Sequence, residues 1–394
     1  MKPTIVIFSQ APLRIGGIER NILQLVEKLG KSYAFHIAGP IAEDFRQAIR
    51  ALDRTVELHF VPRASKYDLF AVIRFARLFR RLRAHLVHTV EPRSRILGHA
   101  AARLAGVRTV HTFQIAALSY DDLTPIQTWV YRRVESFYNR RVSDRIIFVS
   151  ERDRQLYAFH RLIKPATATV IYNSVDLAEV APVLADKPRI RVEVRSKLEI
   201  PRKTVLACTV GRLSVQKGLD YLIEAVFLLC SETNRTRDRL LFIIVGDGEL
   251  HDDLRELARA RGIDDRVRFL GAKPKAEVYR LLAASDFFVL PSRFECFPFS
   301  IVEALSVGLP CVVSDVGGNS ESVEHEYNGL VVPKGDVSAL AAALGRLADD
   351  DTLRTIFGRN ALEKVKSFST DKMARDTERV YRALLPEIHQ KHAS

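Results

Sequence analysis

An α/β protein of two domains, each a parallel sheet covered by helices, is the fold that the sequence predicts. Three observations carry that expectation. Short runs rich in Val, Ile and Phe alternate with helical patterns from one end of the chain to the other, which favours parallel sheets over segregated elements. The 394 residues exceed a usual single domain, at roughly 100 to 200 residues each. A stretch with Pro182, Pro188, Pro201 and mixed charge breaks the alternation near the middle.

Strands are expected at residues 4–8, 35–38, 56–61, 86–90, 109–113, 146–149 and 169–171 in the first half. The second half should hold them at 205–210, 241–245, 267–270, 287–290, 311–314 and 330–332. The expected division is a first domain over residues 1–180, a linker over 181–203, a second domain over 204–369 and a closing segment over 370–394. Its helix, roughly Thr370 to Leu385, is expected to pack back on the first domain. In open α/β sheets ligands bind beyond the carboxyl ends of the strands, so two facing sheets would form one cleft.

Composition narrows the function classes. The cysteines at 208, 230, 296 and 311 form no C-x-x-C pair and have no histidine at ligand spacing, so neither a zinc site nor a disulfide framework is indicated from spacing. A reduced, cytoplasmic chain fits that usage. The apolar stretch at the amino terminus is too short for a signal peptide and reads as a first strand, and no run approaches the ~18 residues of a spanning helix. The net charge of +13 is lopsided: residues 1–185 hold 28 Lys and Arg against 16 Asp and Glu, and the rest is nearly balanced. Within that half Arg74, Arg77, Arg80, Arg81 and Arg83 interleave with Phe70, Ile73, Phe75, Leu78, Phe79 and Leu82 at helical spacing. Such a basic amphipathic helix either lies on an anionic membrane surface or is a wet surface helix. A nucleic-acid-binding protein is the reading from a different class, suggested by the basic pI. No recognition module of that kind appears, and the basic excess misses the half that carries the anion-binding turns.

The most informative segment is Arg293-Phe-Glu-Cys-Phe-Pro-Phe-Ser-Ile-Val-Glu303. An apolar run, Phe287 to Leu290, ends in Pro291-Ser292, and Pro298 suits the first position of a following helix. Glu295 then sits in the turn and Glu303 on the helix. Free amides around Phe299, Ser300 and Ile301 point from the helix's positive end, where phosphate is favoured. One turn therefore offers anion donors and two carboxylate acceptors. Upstream, Gly211-Arg212-Leu213 with Gln216-Lys217-Gly218 places a planar fork and a mobile point charge five residues apart. Gly16-Gly17 follows the first strand and precedes a helix, where bare backbone approaches a ligand closely.

These segments resemble glycosyltransferase family 4 (group 1), retaining enzymes of the GT-B fold, in which two Rossmann-like domains face each other across a cleft. The E-x7-E element is Glu295 to Glu303. Val245-Gly246-Asp247-Gly248, Ser314-Asp315-Val316-Gly317-Gly318 and Asn328-Gly329-Leu330-Val331 follow in the family's order, as do Gly16-Gly17-Ile18-Glu19, Ser143-Asp144-Arg145 and Tyr172-Asn173-Ser174-Val175-Asp176 in the first half. The likeness spans nearly the whole chain and is strongest over residues 205–332.

The resemblance implies a sugar transferred from a nucleotide-diphosphate sugar, UDP-linked in preference to GDP-linked, with retention and without metal or other cofactor. Arg212 and Lys217 would hold the diphosphate in place of a metal ion, Glu303 would accept the ribose hydroxyls, and Glu295 would contact the donor sugar. Gly16, Gly17, Gly246, Phe297, Phe299 and Ser300 would complete the donor site. A histidine common in the family after a first-domain strand aligns here with Gln114, in Val110-His111-Thr112-Phe113-Gln114; His111 is the alternative three residues earlier. A glutamine there donates a hydrogen bond but carries no proton. The basic first domain implies an acidic acceptor, either a lipid-linked glycan or lipopolysaccharide intermediate at the inner membrane face, with peripheral contact to anionic lipid, or a small phosphorylated acceptor in solution. Nucleic acid is not among the expected partners.

Overall fold

The structure is a computed structural model that describes residues 2–52, 55–65, 68–114, 124–232 and 239–385. In chain order the strands are β1 Thr4–Phe8, β2 Ala34–Gly39, β3 Val56–Phe60, β4 Leu86–Thr89, β5 Arg108–Phe113, β6 Arg145–Phe148, β7 Ala168–Val170, β8 Val205–Val210, β9 Leu240–Val245, β10 Val267–Gly271, β11 Phe287–Leu290, β12 Cys311–Ser314 and β13 Gly329–Val332. The helices are α1 Gly17–Leu29, α2 Glu43–Ala51, α3 Leu69–Arg81, α4 Pro92–Ala105, α5 Pro125–Phe137, α6 Glu151–Phe159, α7 Leu177–Ala185, α8 Lys187–Lys197, α9 Leu219–Glu232, α10 His251–Ala260, α11 Lys275–Ala284, α12 Phe299–Ser306, α13 Asn319–Ser322, α14 Val337–Asp349, α15 Asp351–Lys364 and α16 Thr370–Leu384. Each strand expected from the sequence is present with its ends within one residue.

Two compact units result: one of residues 1–174 with the segment from Thr370, the other of Val175–Ser369. The first holds a seven-stranded parallel sheet in the order β3-β2-β1-β4-β5-β6-β7, the second a six-stranded parallel sheet in the order β10-β9-β8-β11-β12-β13. Both are doubly wound, so strand order reverses between β1 and β4 and again between β8 and β11. At such a switch point the loops leaving the two strands diverge and open a crevice.

The strands are near-continuous apolar runs because helices cover both faces. β9, Leu-Leu-Phe-Ile-Ile-Val, is buried along its length. In the first unit α3 anchors itself by Phe75 and Phe79, whose rings meet Phe8 edge-on at 4.9 and 5.5 Å. α16 belongs to this unit: Met373, Ala374 and Tyr381 enter the core beside α1, and the Tyr381 hydroxyl meets His88 Nδ1 at 2.7 Å.

Residues 181–203, expected as a linker, are instead part of the second unit. α7 and α8 occupy most of that stretch, and Ile190, Val194 and Ile200 are buried. Pro188 sits in the first turn of α8, where a missing N–H costs nothing. Charge does the tethering: Arg191 and Arg195 reach Asp286 at 2.6 and 3.0 Å, and Asp286 also accepts the Leu206 amide at 2.7 Å. What reads in sequence as mixed charge between prolines is an ion-paired pair of helices.

Candidate functional site

The expected donor residues of the second half gather at the switch point of the second sheet. β8 delivers residues 211–218 and β11 delivers residues 291–298, because the two strands are neighbours although they lie some 80 residues apart in sequence. Cross-bonds lock the two loops together. The Arg293 amide donates to Gln216 O at 2.8 Å, and its guanidinium forks onto Asp220 of α9 at 2.7 and 2.6 Å while lying over the Tyr221 ring. Gln216 Nε2 donates to Phe294 O at 3.1 Å and to Glu295 Oε2 at 3.2 Å. Two loops are thereby held as one rigid piece.

Glu295 is the centre of that piece. Its side chain is 6% exposed, and Oε1 accepts from Lys217 Nζ at 2.5 Å and from Ser292 Oγ at 2.9 Å. The Lys217 stem packs along the backbone of Gly211. A carboxylate with three side-chain donors is fixed in direction, as recognition of a hydroxyl requires. Ser292 and Gln216 hold the Glu295 carboxylate although the sequence alone assigns them no role. Their only signal was proximity to Glu295 and Lys217 in the chain.

Glycines let the loops interlock. Gly246 has φ +146°, and a Cβ there would stand 1.8 Å from Gly211 O, so the turn after β9 lies directly against the Arg212 loop. Gly317 has φ +50°, and its Cβ would come 1.7 Å from Glu295 O. Beside it the Gly318 amide donates to Cys296 O at 2.6 Å. The loop after β12 thus braces the backbone of Glu295 and Cys296.

α12 begins at Phe299, with Pro298 one position earlier as its cap rather than as the first helical residue. Phe299 is half-buried and Ser300 buried, and their amides open the helix where expected; Glu303 lies one turn on and is 5% exposed. Phe297, expected at the donor, turns its ring into the core against Phe368 at 5.1 Å, leaving backbone as its contribution. Arg212 is exposed and pairs with Glu249 at 3.1 Å.

In the first unit Gly16 caps α1 and Gly17 opens it, both at the switch point between β1 and β4. Glu19 of that first turn is half-buried, and burial, with Asp44 nearby, raises its carboxyl to about 7. Gln114 follows the last residue of β5 and lines a small cavity with Thr112, Asn21, His88 and Tyr172. His111 points to the strand face opposite Thr112 and is wholly buried. Nδ1 meets Thr89 Oγ1 at 2.9 Å, Nε2 makes no hydrogen bond, and Phe113 abuts the ring edge-on. Burial, then the cation of Arg95, holds its pKa well below 6.5. A catalytic His111 is therefore ruled against: the ring reaches no surface, and strand alternation assigns it to the core. That core is unusually polar. Arg95 is buried with the Glu135 carboxylate and Asn139, and its guanidinium lies 4.9 Å over Phe113.

Comparison with known proteins agrees with this geometry. Residues 191–364 match the family described as glycosyl transferases group 1, and residues 15–179 match glycosyltransferase family 4. The chain is 30% identical over 366 residues to the UDP-Gal:alpha-D-GlcNAc-diphosphoundecaprenol alpha-1,3-galactosyltransferase of Escherichia coli, covering 89% of each. Among solved structures, a glycosyltransferase from Rickettsia africae superposes with a TM-score of 0.80 at 17% identity, covering 98% of this chain and 99% of that one. Anabaena Alr3699/HepE in complex with UDP gives 0.79 at 21%, covering 97% and 100%. With two doubly wound parallel sheets and a carboxylate-and-lysine turn at the second switch point, the chain belongs to glycosyltransferase family 4, group 1, the nucleotide-sugar-using transferases of the GT-B fold.

Proposed function

We propose that this enzyme moves a hexose, galactose in the first instance, from its UDP-sugar to a lipid-linked glycan diphosphate, with retention and without a metal ion. The observation that carries the reading is the Lys217–Glu295 turn at the mouth of β8 and β11. Bond breaking at the anomeric carbon leaves charge on the diphosphate, and preorganised cations and amides stabilise it there. Lys217, Arg212 and the first amides of α12 are the groups for that task. Glu303 accepts the ribose hydroxyls and Glu295 the hydroxyls of the sugar. Retention follows the front-face course that the family resemblance implies, in which the leaving phosphate takes the acceptor's proton.

The acceptor assignment rests on the likeness to the diphosphoundecaprenol galactosyltransferase and on the basic first unit. No described helix is long and apolar enough to cross a membrane. α3 nevertheless exposes Leu69, Phe70 and Ile73 beside Arg74 and Arg77, with Phe60 exposed on β3, a surface suited to peripheral contact with anionic lipid at the inner face.

The test is transfer from a panel of UDP- and GDP-sugars to GlcNAc-diphosphate on a polyprenyl chain, with the product's anomeric configuration read by NMR, in excess EDTA and with added magnesium. An α-linked product from an α-donor at equal rates in both conditions is expected. An inverted product, or activity abolished by EDTA and restored by magnesium, overturns the mechanism. Transfer to small phosphorylated acceptors alone overturns the lipid-linked acceptor.

A further inference from the structure

The edge of the first unit's sheet carries a cluster of titratable side chains to which the proposed transfer assigns no role. β3 is the outermost strand and pairs in parallel with β2, with His36 opposite Glu57 and Ala38 opposite His59. Residues opposite each other share a face, and so do Glu57 and His59, two apart on one strand. Three potential ligands therefore project from one side of a two-strand ribbon. His36 Nδ1 lies 3.0 Å from His59 Nε2 and 3.5 Å from Glu57 Oε2, which is itself 3.7 Å from His59 Nε2. Among the described residues this is the group of three His, Cys, Asp or Glu side chains that brings one ligand atom each within 4.8 Å of the others.

We propose that His36, Glu57 and His59 bind a zinc ion, or another divalent cation with the same taste for nitrogen and carboxylate, which staples the edge strand β3 to β2. Two imidazoles and one carboxylate with a water make a four-coordinate zinc shell. Tetrahedral bonds of about 2.0–2.1 Å set ligand nitrogens roughly 3.3 Å apart, so the 3.0 Å pair opens by only a few tenths of an ångström to admit the ion. The imidazole side chains are 13% and 19% exposed, which leaves an opening for the ion and its water while the rings stay packed and stacked on each other. Glu57 is mostly exposed and closes the shell from the solvent side. Its carboxylate also offsets the Arg81 guanidinium, which acts on His59 from the end of α3. Hard cations such as Mg2+ and Ca2+ require mainly oxygen ligands and find one carboxylate here. An ion tying down a terminal strand also protects an edge that would otherwise be open to pairing with another chain.

The cluster belongs to the first unit and the Lys217–Glu295 turn to the second, so their tests separate. Full-length protein freed of metal by a chelator and then dialysed is titrated with ZnCl2 against a chromophoric zinc indicator, and its thermal midpoint is followed with and without zinc. One equivalent of zinc should bind and raise the midpoint by several degrees. His36→Ala and His59→Ala should each weaken binding at least tenfold and abolish the zinc-dependent rise, and Glu57→Gln, at an exposed position, should weaken it several-fold with the fold unchanged by circular dichroism. Co2+ in place of zinc should give the visible absorption of a tetrahedral ion, lost in both histidine variants. Zinc affinity unchanged in Glu57→Gln and His59→Ala, no stoichiometric zinc at all, or preferential binding of Ca2+ overturns the proposal. Transfer activity of the zinc-free enzyme below its melting temperature should equal that of the zinc-loaded enzyme; a zinc-dependent rate would reassign the ion from the sheet edge to the reaction.

Discussion

Lys217 Nζ is bonded to Glu295 Oε1 at 2.5 Å, so the cation assigned to the phosphates and the carboxylate assigned to the sugar form one partly buried ion pair. Each sets the other's position. Lys217→Ala should therefore do two things at once. Loss of a preorganised cation should cut kcat/KM about 10²–10³-fold. Leaving Glu295 with only Ser292 and Gln216 as partners should also cost about 1–3 kcal/mol of stability. The double variant Lys217→Ala, Glu295→Ala should recover part of that stability and none of the activity. Urea unfolding and steady-state kinetics on the four proteins check both halves; additive stability losses would mean that the two groups are not coupled.

Gly317 gives an independent handle on the same carboxylate, because it touches the backbone of Glu295 rather than its side chain. A methyl group 1.7 Å from Glu295 O, at φ +50°, forces the turn to move. Gly317→Ala should raise the Kd for UDP-sugar at least tenfold with a smaller effect on UDP alone, since Glu303, the proposed ribose partner, stands on α12. Calorimetry with the two ligands distinguishes them, and equal losses for both would place Glu295 away from the sugar.

Much of this was legible in the sequence, and the reasons are physical. Buried parallel strands must be apolar throughout, so β9 and β11 announce themselves. Loop glycines and carboxylates at a strand-to-helix turn likewise keep their meaning without coordinates. Pairing across the sheet does not. Lys217 and Glu295 meet because β8 and β11 are adjacent, which no local pattern encodes. His111 lies within β5 and Gln114 just past its end, and the side on which His111 is buried is decided by what packs there, here Phe113, Arg95 and Thr89. The region expected as a linker failed similarly, since Arg191 and Arg195 look solvated until Asp286 is found beside them.

Glu19 makes the first unit sensitive to pH. Its carboxyl titrates at about 7 in the fold against about 4.5 in the unfolded chain, so the folded state holds the proton more tightly. Its favourable contribution is complete below about pH 4.5 and is lost as pH rises through 7. Glu19→Gln should remove that dependence and stabilise the protein at pH 8 relative to wild type by on the order of 1–2 kcal/mol, after allowance for solvent screening. Denaturant midpoints at pH 5 and pH 8 measure it; parallel curves for the two proteins would refute the assignment.

The arginines of α3, with Arg83 just past its end, predict a salt-dependent association. Arg77, Arg80, Arg81 and Arg83 are exposed, and each basic residue near an anionic surface contributes about 1 kcal/mol. Replacing all four by Gln should abolish co-sedimentation with phosphatidylglycerol vesicles at low salt and leave UDP-sugar binding unchanged. Because Arg80 also bonds Leu104 O, a second variant keeping Arg80 controls for a loosened α3–α4 contact. Vesicle binding unaltered in both would reduce the helix to a solvated face.

Cys296 reports on the donor turn without any loss of function being needed. It follows Glu295, is half-buried, and has its carbonyl fixed by the Gly318 amide at 2.6 Å. Cys208 and Cys311 lie inside β8 and β12, where burial pushes the first thiol up to about 12 and the second higher still. A thiolate is the reactive form, so both buried thiols should be inert at neutral pH. Iodoacetamide should therefore label Cys296 ahead of Cys208 and Cys311, and saturating UDP-sugar should slow that labelling several-fold by covering the turn. Peptide mapping by mass spectrometry with and without donor decides it: Cys296 labelled at the same rate in both conditions would place the bound sugar away from the Glu295 turn.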